Sequence, residues 1–341
     1  MDKPINFAIV GCGAIALQHI ETITELPGAK LSALYSRNTD KANEWGQKYQ
    51  VKSYSDYDRL LADESIDVVV ILTPSGTHAE FGIRAAQAKK HVIVEKPIDI
   101  TLEKANALIT ACGDAGVLLS CIFQHRFDDA VLKLKEAVEE GRLGQLNLGV
   151  SRTTWYRPQT YYDSAEWRGT RALDGGGALM NQSIHYIDLL IYIMGPVEEV
   201  FAYCARRAHE RIDVEDIAAA AVKFKSGAVG LIEGTTAAFP GFNTALDIFG
   251  EKGSVRIDSD QIAGWHIQDM EEEAVSAGRN AEKEAQFAET ALSFMRQYED
   301  ITQAIAGGTE PLVNGKEAAK SLELILAIYK SAETGRPVQL N

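Results

Sequence analysis

Paired cysteines and long apolar runs are missing from this 341-residue chain. Its four cysteines, Cys12, Cys112, Cys121 and Cys204, show no paired spacing and no C-x-x-C motif, and unpaired thiols of this kind fit a reducing compartment. No window holds the roughly 18 apolar residues of a membrane span, and the first residues lead into a strand rather than a signal peptide. We therefore expect a cytoplasmic protein without a membrane partner.

Positive charge is the second deficit. The chain has 34 Lys and Arg against 48 Asp and Glu, a net charge of -14. Nucleic-acid binding needs a basic stripe, so this balance argues against a nucleic-acid partner. The hydrophobic fraction of 46% is enough, at this length, for about two domains with buried cores.

The first third of the chain alternates short apolar runs with helical patterns. Five runs read as strands: INFAIVG, AKLSALYS, IDVVVILT, KHVIVEKP and VLLSCIF. Alternating strands and helices predict βαβ units, and the continuous β-branched run IDVVVILT predicts a strand covered on both faces. Residues 1–124 are therefore expected to form a doubly wound parallel sheet of the Rossmann type, within an α/β protein.

After residue 125 the pattern changes to strand-like runs joined by turn signals. The breaks KSG and EKG are typical of hairpin turns, and strands without intervening helices predict a mainly antiparallel sheet. Residues 271–289 are polar and acidic and are expected to be an exposed loop entering a helix. Residues 125–341 are thus predicted to be a second α/β domain with a large open sheet, for substrate binding and oligomerisation.

A G-x-G-x-x-A motif directly follows the first predicted strand and opens a helix. Gly11 permits the tight turn, Gly13 lets a pyrophosphate approach the backbone, and Ala16 allows close packing of helix on strand. The helix N-terminus offers free N–H groups to the phosphates. In this context the motif predicts a dinucleotide site, and Ala14 and Ile15 are expected to belong to it. The alternative is a tight turn without a ligand.

The end of the second strand should select the cofactor. An acidic residue there would bind the adenosine ribose of NAD, but Ser36 and Arg37 stand at this point. Serine and arginine suit a 2'-phosphate, which favours NADP over NAD. Asp40 nearby keeps NAD as the alternative.

Later strand exits should complete the cofactor site, because ligands of such sheets bind at the carboxyl ends of the strands. Lys96 follows a buried strand, where a partly desolvated lysine can hold or donate a proton. The further cofactor-binding residues expected at these exits are Thr73, Pro74, Ser75, His78, Glu95 and Gln124.

A glycine-led helix in the second half carries a polar stripe. Asn181, His185 and Asp188 are three or four residues apart and would share one face of the helix that follows Gly175–Gly177. The alternatives for this stripe are a satisfied, half-buried polar face and a catalytic group.

These motifs, in this order, resemble the Gfo/Idh/MocA family of NAD(P)-dependent oxidoreductases, over both predicted domains. The resemblance rests on the G-x-G-x-x-A start, TPSGTHAEFGIRAAQAKKHVIVEKPI, HRF at 125–127 and the glycine helix with its histidine. It implies hydride transfer on a secondary hydroxyl of a sugar, sugar derivative or polyol, and a homodimer or homotetramer built through the open sheet.

The resemblance also implies residue roles. Lys96 matches the lysine of the E-K-P motif and His185 the catalytic histidine, so the two are expected to form the acid/base pair. The family often has Asp four residues before that histidine, whereas this chain has Asn181. Some relatives acting on nucleotide-sugar uronates are similar in carrying Asn. An amide can bind a hydroxyl but cannot accept a proton, so Asn181 is expected to position the substrate. Asp188 either orients the imidazole or caps a neighbouring backbone group.

Substrate binding is expected to involve the aromatic and basic segment 153–171. Trp167 and Arg168 lie nearest the glycine helix and are favoured, and Arg126 follows the last parallel strand. The alternatives are a packing loop or subunit contact for the segment and an interdomain salt bridge for Arg126. His125 is a weaker candidate for contact with cofactor or substrate, and a structural or surface role is the default for His19, His91, His209 and His266.

Three rival functions stay open. His185 and Asp188 have a spacing possible for metal ligands, but no third ligand is evident, so no metal is expected. Some members resembling the family use bound NAD to cleave glycosidic bonds. The Asn181 departure also leaves room for a non-catalytic, dinucleotide-bound sensor.

Overall fold

The computed structural model describes residues 3–268 and 283–340 and divides into two compact units. The first comprises Met1–Gln124 and Ala291–Ala319, and the second comprises His125–Thr290 and Lys320–Asn341. The sequence-based division had placed everything after residue 124 in the second domain. Residues 291–319 join the first unit because Phe294, Tyr298 and Ile301 pack into its core.

The first unit is a six-stranded sheet in the order β3-β2-β1-β4-β5-β6, with every neighbouring pair parallel. This is the doubly wound arrangement expected, with β3 as a short addition. The strands are β1 (Ile5–Val10), β2 (Ala29–Tyr35), β3 (Lys52–Tyr54), β4 (Val68–Ile71), β5 (His91–Val94) and β6 (Leu119–Cys121). The strand order reverses between β1 and β4, where ligands of such sheets bind.

The helices of this unit begin where the sequence supplies caps. Asn38, Asp56 and Thr101 each accept backbone N–H bonds at a helix start, and Gly116 ends a helix with positive φ. The helices are α1 (Ala16–Glu25), α2 (Thr39–Tyr49), α3 (Tyr57–Leu61), α4 (His78–Gln87) and α5 (Leu102–Ala115), joined by the later part of α9 (Lys283–Gly307), from residue 291 on.

The second unit is built on an eight-stranded sheet in the order β13-β12-β11-β7-β10-β9-β8-β14. Only the β7–β10 pair is parallel, and the KSG and EKG breaks are hairpin turns, as expected. The strands are β7 (Leu146–Thr154), β8 (Val197–Ala205), β9 (Ile217–Phe224), β10 (Val229–Thr235), β11 (Ala245–Gly250), β12 (Gly253–Asp258), β13 (Gln261–Ile267) and β14 (Val338–Gln339).

Helices cover one face of this sheet and leave the other open. Leu231 and Val229 on β10 and Tyr203 on β8 are half or more exposed on the uncovered face. The helices are α6 (Asp129–Glu139), α7 (Gln159–Tyr162), α8 (Ile184–Met194) and the later part of α10 (Gly315–Thr334), with a π-helical segment at Ala178–Ser183.

Of the acidic segment expected to be a loop entering a helix, residues 271–282 lie outside the described residues, and the rest belong to α9. Among the described helices, none is long and apolar enough to cross a membrane.

Candidate active site

The β1–α1 turn has the shape of a phosphate cradle. Gly11 has φ of +112°, and a Cβ there would lie 2.8 Å from the carbonyl oxygen of Leu72, so this glycine permits both the turn and the approach of the next strand. A Cβ on Gly13 would meet nothing within 4 Å, which leaves open space above its backbone. No side chain caps α1, whose cap residue is Ile15. The uncapped helix start and the open glycine fit a dinucleotide pyrophosphate.

The exit of β2 places Ser36 and Arg37 where an adenosine ribose would be recognised. Arg37 is exposed, and Ser36 Oγ accepts a bond from the backbone N–H of Asn38 at 3.2 Å. Asp40 lies in the first turn of α2, which gives it a helix-start role beside any role toward a ribose.

The exit of β4 is fixed by His78. Its Nδ1 lies 2.8 Å from the carbonyl oxygen of Pro97, and its Nε2 lies 2.9 Å from that of Thr73. His78 is 1% exposed, so it ties the loop after β4 to the loop after β5. Of the expected cofactor residues in this loop, Ser75 is also buried, while Thr73 and Pro74 are partly exposed.

The exit of β5 rests on a buried network that the sequence did not reveal. Glu95 Oε2 accepts the backbone N–H of Lys96 at 3.0 Å, and Glu95 Oε1 lies 3.1 Å from His19 Nε2. His19 Nδ1 lies 2.6 Å from the hydroxyl of Tyr298, which fits a tautomer with the proton on Nε2. Burial opposes ionisation of Glu95, but the bond to His19 and the charge of Lys96 lower the pKa of this carboxyl below its ordinary value.

His19 was expected to have a structural or surface role, and the structure makes it the buried link between two elements. The signal for burial was present, because His19 shares the inner face of α1 with Ala16, Ile20 and Ile23. Its partners lie 76 and 279 residues away along the chain, so no local pattern could name them. Gln124, the last expected cofactor residue, is buried at the start of a short 3-10 helix that ends at Phe127.

The glycine-led helix departs from the expected continuous α-helix. Ala178–Ser183 form a π-helical segment, and the α-helix begins at Ile184. Asn181 therefore lies in the wider π turn and His185 in the first turn of α8, so the even three-or-four spacing does not apply between them. Single π turns occur frequently at functional sites.

Asn181 sits in a network of polar side chains. Its Nδ2 donates to Asp174 Oδ1 at 2.7 Å, and its Oδ1 accepts from Gln182 Nε2 at 2.7 Å. The hydroxyl of Tyr161 donates to the same oxygen at 3.4 Å and accepts from Arg168 Nη1 at 2.6 Å. The amide at position 181 thus gives the Asp174 carboxylate a donor that a second carboxylate would not supply.

Two of the three glycines before this helix, Gly176 and Gly177, are required by close packing. A Cβ on Gly177 would lie 1.7 Å from the backbone oxygen of Glu215, and one on Gly176 would lie 2.2 Å from the hydroxyl of Tyr329. The Glu215 carboxylate accepts the N–H groups of Gly177 and Leu179 at 2.9 and 2.8 Å. Burial raises the pKa of Glu215 above its ordinary value, although these backbone bonds oppose the shift.

Arg126 and Asp188 form a buried pair inside the second unit. The Asp188 carboxylate accepts Arg126 Nε and Nη2, both at 2.7 Å, and the guanidinium lies 4.5 Å from the ring centre of Tyr192. Arg126 is 1% exposed, and this pair ties its guanidinium to α8, while its role toward a substrate stays a prediction. The salt bridge considered for Arg126 is present, but within one unit.

The aromatic segment gathers two arginines around Tyr161. The guanidinium of Arg168 lies 4.4 Å from the ring of Tyr161 and 4.7 Å from that of Trp167, and Arg157 lies 5.3 Å from the ring of Tyr161. Arg157 donates twice to Gln182 Oε1, at 3.0 and 2.8 Å. Arg168 Nε is buried with no hydrogen-bond partner among the described residues. The cluster therefore holds positive charge and an unused donor.

His185 lies against a second histidine. The ring centres of His125 and His185 are 5.0 Å apart at 80°, and His125 Nδ1 contacts Asp128 Oδ2 at 2.7 Å. Asp260 Oδ1 is 3.3 Å from the same nitrogen. His125, Asp128 and Asp260 could offer ligand atoms within 4.8 Å of one another, a grouping that the sequence did not predict. The 2.7 Å contact between His125 Nδ1 and Asp128 Oδ2 is also the distance of a charge-assisted hydrogen bond.

Comparison with family models matches both units. The description "Oxidoreductase family, NAD-binding Rossmann fold" fits residues 5–123, and "Oxidoreductase family, C-terminal alpha/beta domain" fits residues 135–340. Together they cover most of the chain and confirm the expected family and fold.

Comparison with individual proteins gives similarity over the full length. The chain is 32% identical to myo-inositol 2-dehydrogenase of Thermotoga maritima, over 98% of both chains. It is 34% identical to the WlbA dehydrogenase of Bordetella pertussis, solved in complex with NADH and UDP-GlcNAcA, with a TM-score of 0.91 over 100% of this chain and 99% of that one. The WlbA dehydrogenase of Chromobacterium violaceum, in complex with the same two ligands, is also 34% identical, with a TM-score of 0.90 over 100% and 97%.

Proposed function

The chain belongs to the Gfo/Idh/MocA family of oxidoreductases, and on that premise we propose that it oxidises a secondary hydroxyl of an anionic sugar derivative, of the nucleotide-sugar uronate class, with a nicotinamide dinucleotide. The bound cofactor supplies the hydride acceptor. Two alternatives predict other results when sugars are added to the protein and its cofactor. A glycosidase-type enzyme would release free sugar without net reduction of the cofactor, and a non-catalytic sensor would show no turnover.

The Arg168 cluster carries this choice of substrate. Its guanidinium is held by Tyr161 and Trp167 and has an Nε donor without a partner among the described residues. Arginine forms strong, directional bonds to carboxylates and phosphates. The similarity to the two WlbA dehydrogenases supports the same choice, since both are described with a nucleotide-sugar acid. A neutral polyol, as in the inositol dehydrogenase, would leave this charge unused.

His185 and Lys96 are proposed to handle the proton. His185 takes the hydroxyl proton as the base, because an imidazole changes charge near neutral pH. Lys96 donates a hydrogen bond to the same oxygen and stabilises the negative charge that develops there. Asn181 holds a substrate hydroxyl through its amide, with the geometry set by Asp174 and Gln182.

NADP is proposed as the preferred cofactor. Arg37 is exposed at the end of β2 and can pair with a 2'-phosphate, and no acidic side chain stands at positions 36 and 37. The matching family model describes an NAD-binding Rossmann fold and does not separate NADP from NAD. The ratio of kcat/KM for the two cofactors measures the preference directly. We also propose a cytoplasmic location, which is supported by the four cysteines, all among the described residues and none in a disulfide.

A substrate panel tests the proposal. Purified protein is mixed with NAD or NADP and a nucleotide-sugar uronate, a neutral nucleotide sugar, a glucoside or an inositol, and the absorbance band of the reduced nicotinamide is followed. We expect the band to grow with the uronate. Arg168→Gln should raise KM for that substrate roughly 10- to 100-fold, the value of one charge-assisted bond. The control Arg59→Gln removes an exposed arginine that pairs with Asp56, outside the substrate segment, and should leave KM unchanged.

Preference for a neutral polyol, with KM insensitive to Arg168→Gln, would reject the anionic substrate. Reduction of the cofactor by that polyol would still establish a dehydrogenase.

A further inference from the structure

His125 is held between two carboxylates from separate segments. Its Nδ1 contacts Asp128 Oδ2 at 2.7 Å and Asp260 Oδ1 at 3.3 Å. Both oxygens can only accept from it when ionised, so Nδ1 carries a hydrogen atom. The side chains of His125, Asp128 and Asp260 are 16%, 2% and 12% exposed, so solvent screens their charges weakly.

The local structure keeps both carboxylates in place. Asp128 is the cap residue of α6, yet its side chain makes no capping bond and points its oxygen at His125 instead. Asp260 lies in the β12–β13 turn at φ of +68°, and its Oδ1 accepts the hydroxyl of Tyr186 at 2.8 Å. The Tyr186 oxygen in turn accepts the backbone N–H of Asp260 at 3.2 Å. Two segments thus direct their negative charge to one imidazole.

That imidazole packs on the proposed base. The rings of His125 and His185 meet edge to face, with centres 5.0 Å apart. This contact restricts rotation of the His185 ring about its Cβ–Cγ bond. Tyr186 follows His185 in sequence, and its hydroxyl donates a hydrogen bond to Asp260. The same helix turn therefore carries the proposed base and the side chain that holds the Asp260 carboxylate in place.

We propose that His125 is a positioning residue for His185, and that the carboxylates of Asp128 and Asp260 stabilise the imidazolium that His185 becomes when it takes the substrate proton. The proposal rests on the proposed function, in which His185 is the acid/base group. The proton passes from the substrate hydroxyl to His185 and is later released to solvent, while Asp128 and Asp260 remain ionised throughout. Negative charge close to a histidine favours its protonated form.

Charged side chains on α8 and on the elements packed against it have partners of their own: Asp188 with Arg126, Lys135 of α6 with Glu139, and Asp247 of β11 with Arg152 and Arg256. Three more charged residues lie on α6: Glu136 pairs with Arg142, Lys133 lies over the ring of Trp265, and Asp129 is exposed. Asp128 and Asp260 are the carboxylates that contact the imidazole of His125.

The test compares Asp128→Asn with the control Asp129→Asn, which changes the exposed neighbouring residue. An asparagine at 128 keeps an oxygen for His125 Nδ1 and removes only the charge. We expect kcat to fall about tenfold with KM unchanged, and the acidic limb of the pH profile of kcat/KM to move about one unit lower. Asp128→Glu, which keeps the charge, should leave that limb where it is in the unmodified protein.

An activity loss in Asp128→Asn without movement of the limb would assign a purely structural role and overturn the proposal. Unchanged kcat and pH profile would overturn it as well, provided that His185→Ala is inactive. If His185→Ala keeps full activity, the proposed function itself fails. Loss of activity on treatment with a chelator, restored by zinc, would show a metal site at these three residues and reject the proposal.

Discussion

The amide at position 181 is explained by the neighbouring carboxylate of Asp174. Its amide donates to Asp174 Oδ1 at 2.7 Å, and Asp174 Oδ2 accepts the N–H of Gly169 at 2.8 Å. A carboxylate at position 181 would face the ionised Asp174 at hydrogen-bond distance. The amide therefore avoids a repulsive pair, and a carboxylate already lies beside the site, supplied by Asp174.

Asn181→Asp should create that repulsive pair. We expect a loss of about 1–3 kcal/mol in the free energy of unfolding at neutral pH, because a donor is lost and two like charges meet. The new carboxyl would have a raised pKa in the folded state, so the loss should shrink as pH falls below that pKa. Urea unfolding at several pH values measures this. The double variant Asp174→Asn/Asn181→Asp should recover most of the stability, and failure to recover would contradict the pairing.

Tyr298→Phe tests the buried network behind Lys96. The substitution removes the hydroxyl bonded to His19 Nδ1 and leaves that nitrogen without a partner in a buried site. We expect a cost of about 1–3 kcal/mol in urea unfolding. The control Tyr203→Phe changes a side chain that is 71% exposed and should cost little free energy of unfolding. Equal effects of the two substitutions would show that the network contributes nothing.

Among the elements, the glycine-led helix differs most from its sequence expectation. The residues predicted a helix with a polar stripe, and the helix and its histidine are there. The π turn at Ala178–Ser183 and the contacts of Gly176 and Gly177 with Tyr329 and Glu215 were not predictable. They depend on backbone and side chains that come from 38 to 153 residues further along the chain, whereas periodicity reports only local spacing.

Gly177→Ala should disrupt this element. Its Cβ would lie 1.7 Å from the backbone oxygen of Glu215, which cannot move aside as a side chain can. We expect a loss of about 3 kcal/mol or more in stability, the upper part of the range for overpacking. Gly113→Ala is the matched control, since Gly113 lies within α5 and its Cβ would meet nothing within 4 Å. The control should be neutral or gain up to about 1 kcal/mol. Comparable losses in both variants would contradict the packing role.

At the scale of the whole molecule, the sequence predicted features that depend on local motifs and missed contacts between residues that are far apart in the chain. The β1–α1 turn and the strand exits follow from local motifs and from the rule that parallel strands end at one edge. The assignment of residues 291–319 to the first unit was missed, because the contacts of Phe294 and Tyr298 join the two ends of the chain in sequence. The charge pair behind His125 was missed for the same reason, as Asp260 is 135 residues beyond it.

Oligomerisation through the open sheet is a prediction at this scale. Leu231 is 50% exposed in the middle of the sheet, and Tyr203 and Val229 extend the uncovered apolar surface. Apolar patches of this kind mark interfaces. We expect a dimer or tetramer by light scattering on a sizing column, and Leu231→Glu should shift it toward monomer. The control Leu132→Glu changes an exposed leucine on α6 and should not. A wild-type monomer at all concentrations would reject the prediction.

The most direct test of the central claim compares the wild-type protein with His185→Ala. It measures hydride transfer from a nucleotide-sugar uronate to the bound cofactor. The growth of the reduced-nicotinamide band is followed, with cofactor affinity measured separately for both proteins. The account predicts growth with the wild type and a loss of at least about 100-fold in kcat for His185→Ala, at unchanged cofactor affinity. Equal rates in the two proteins, or no reduction of NAD or NADP by any sugar or polyol, would contradict it.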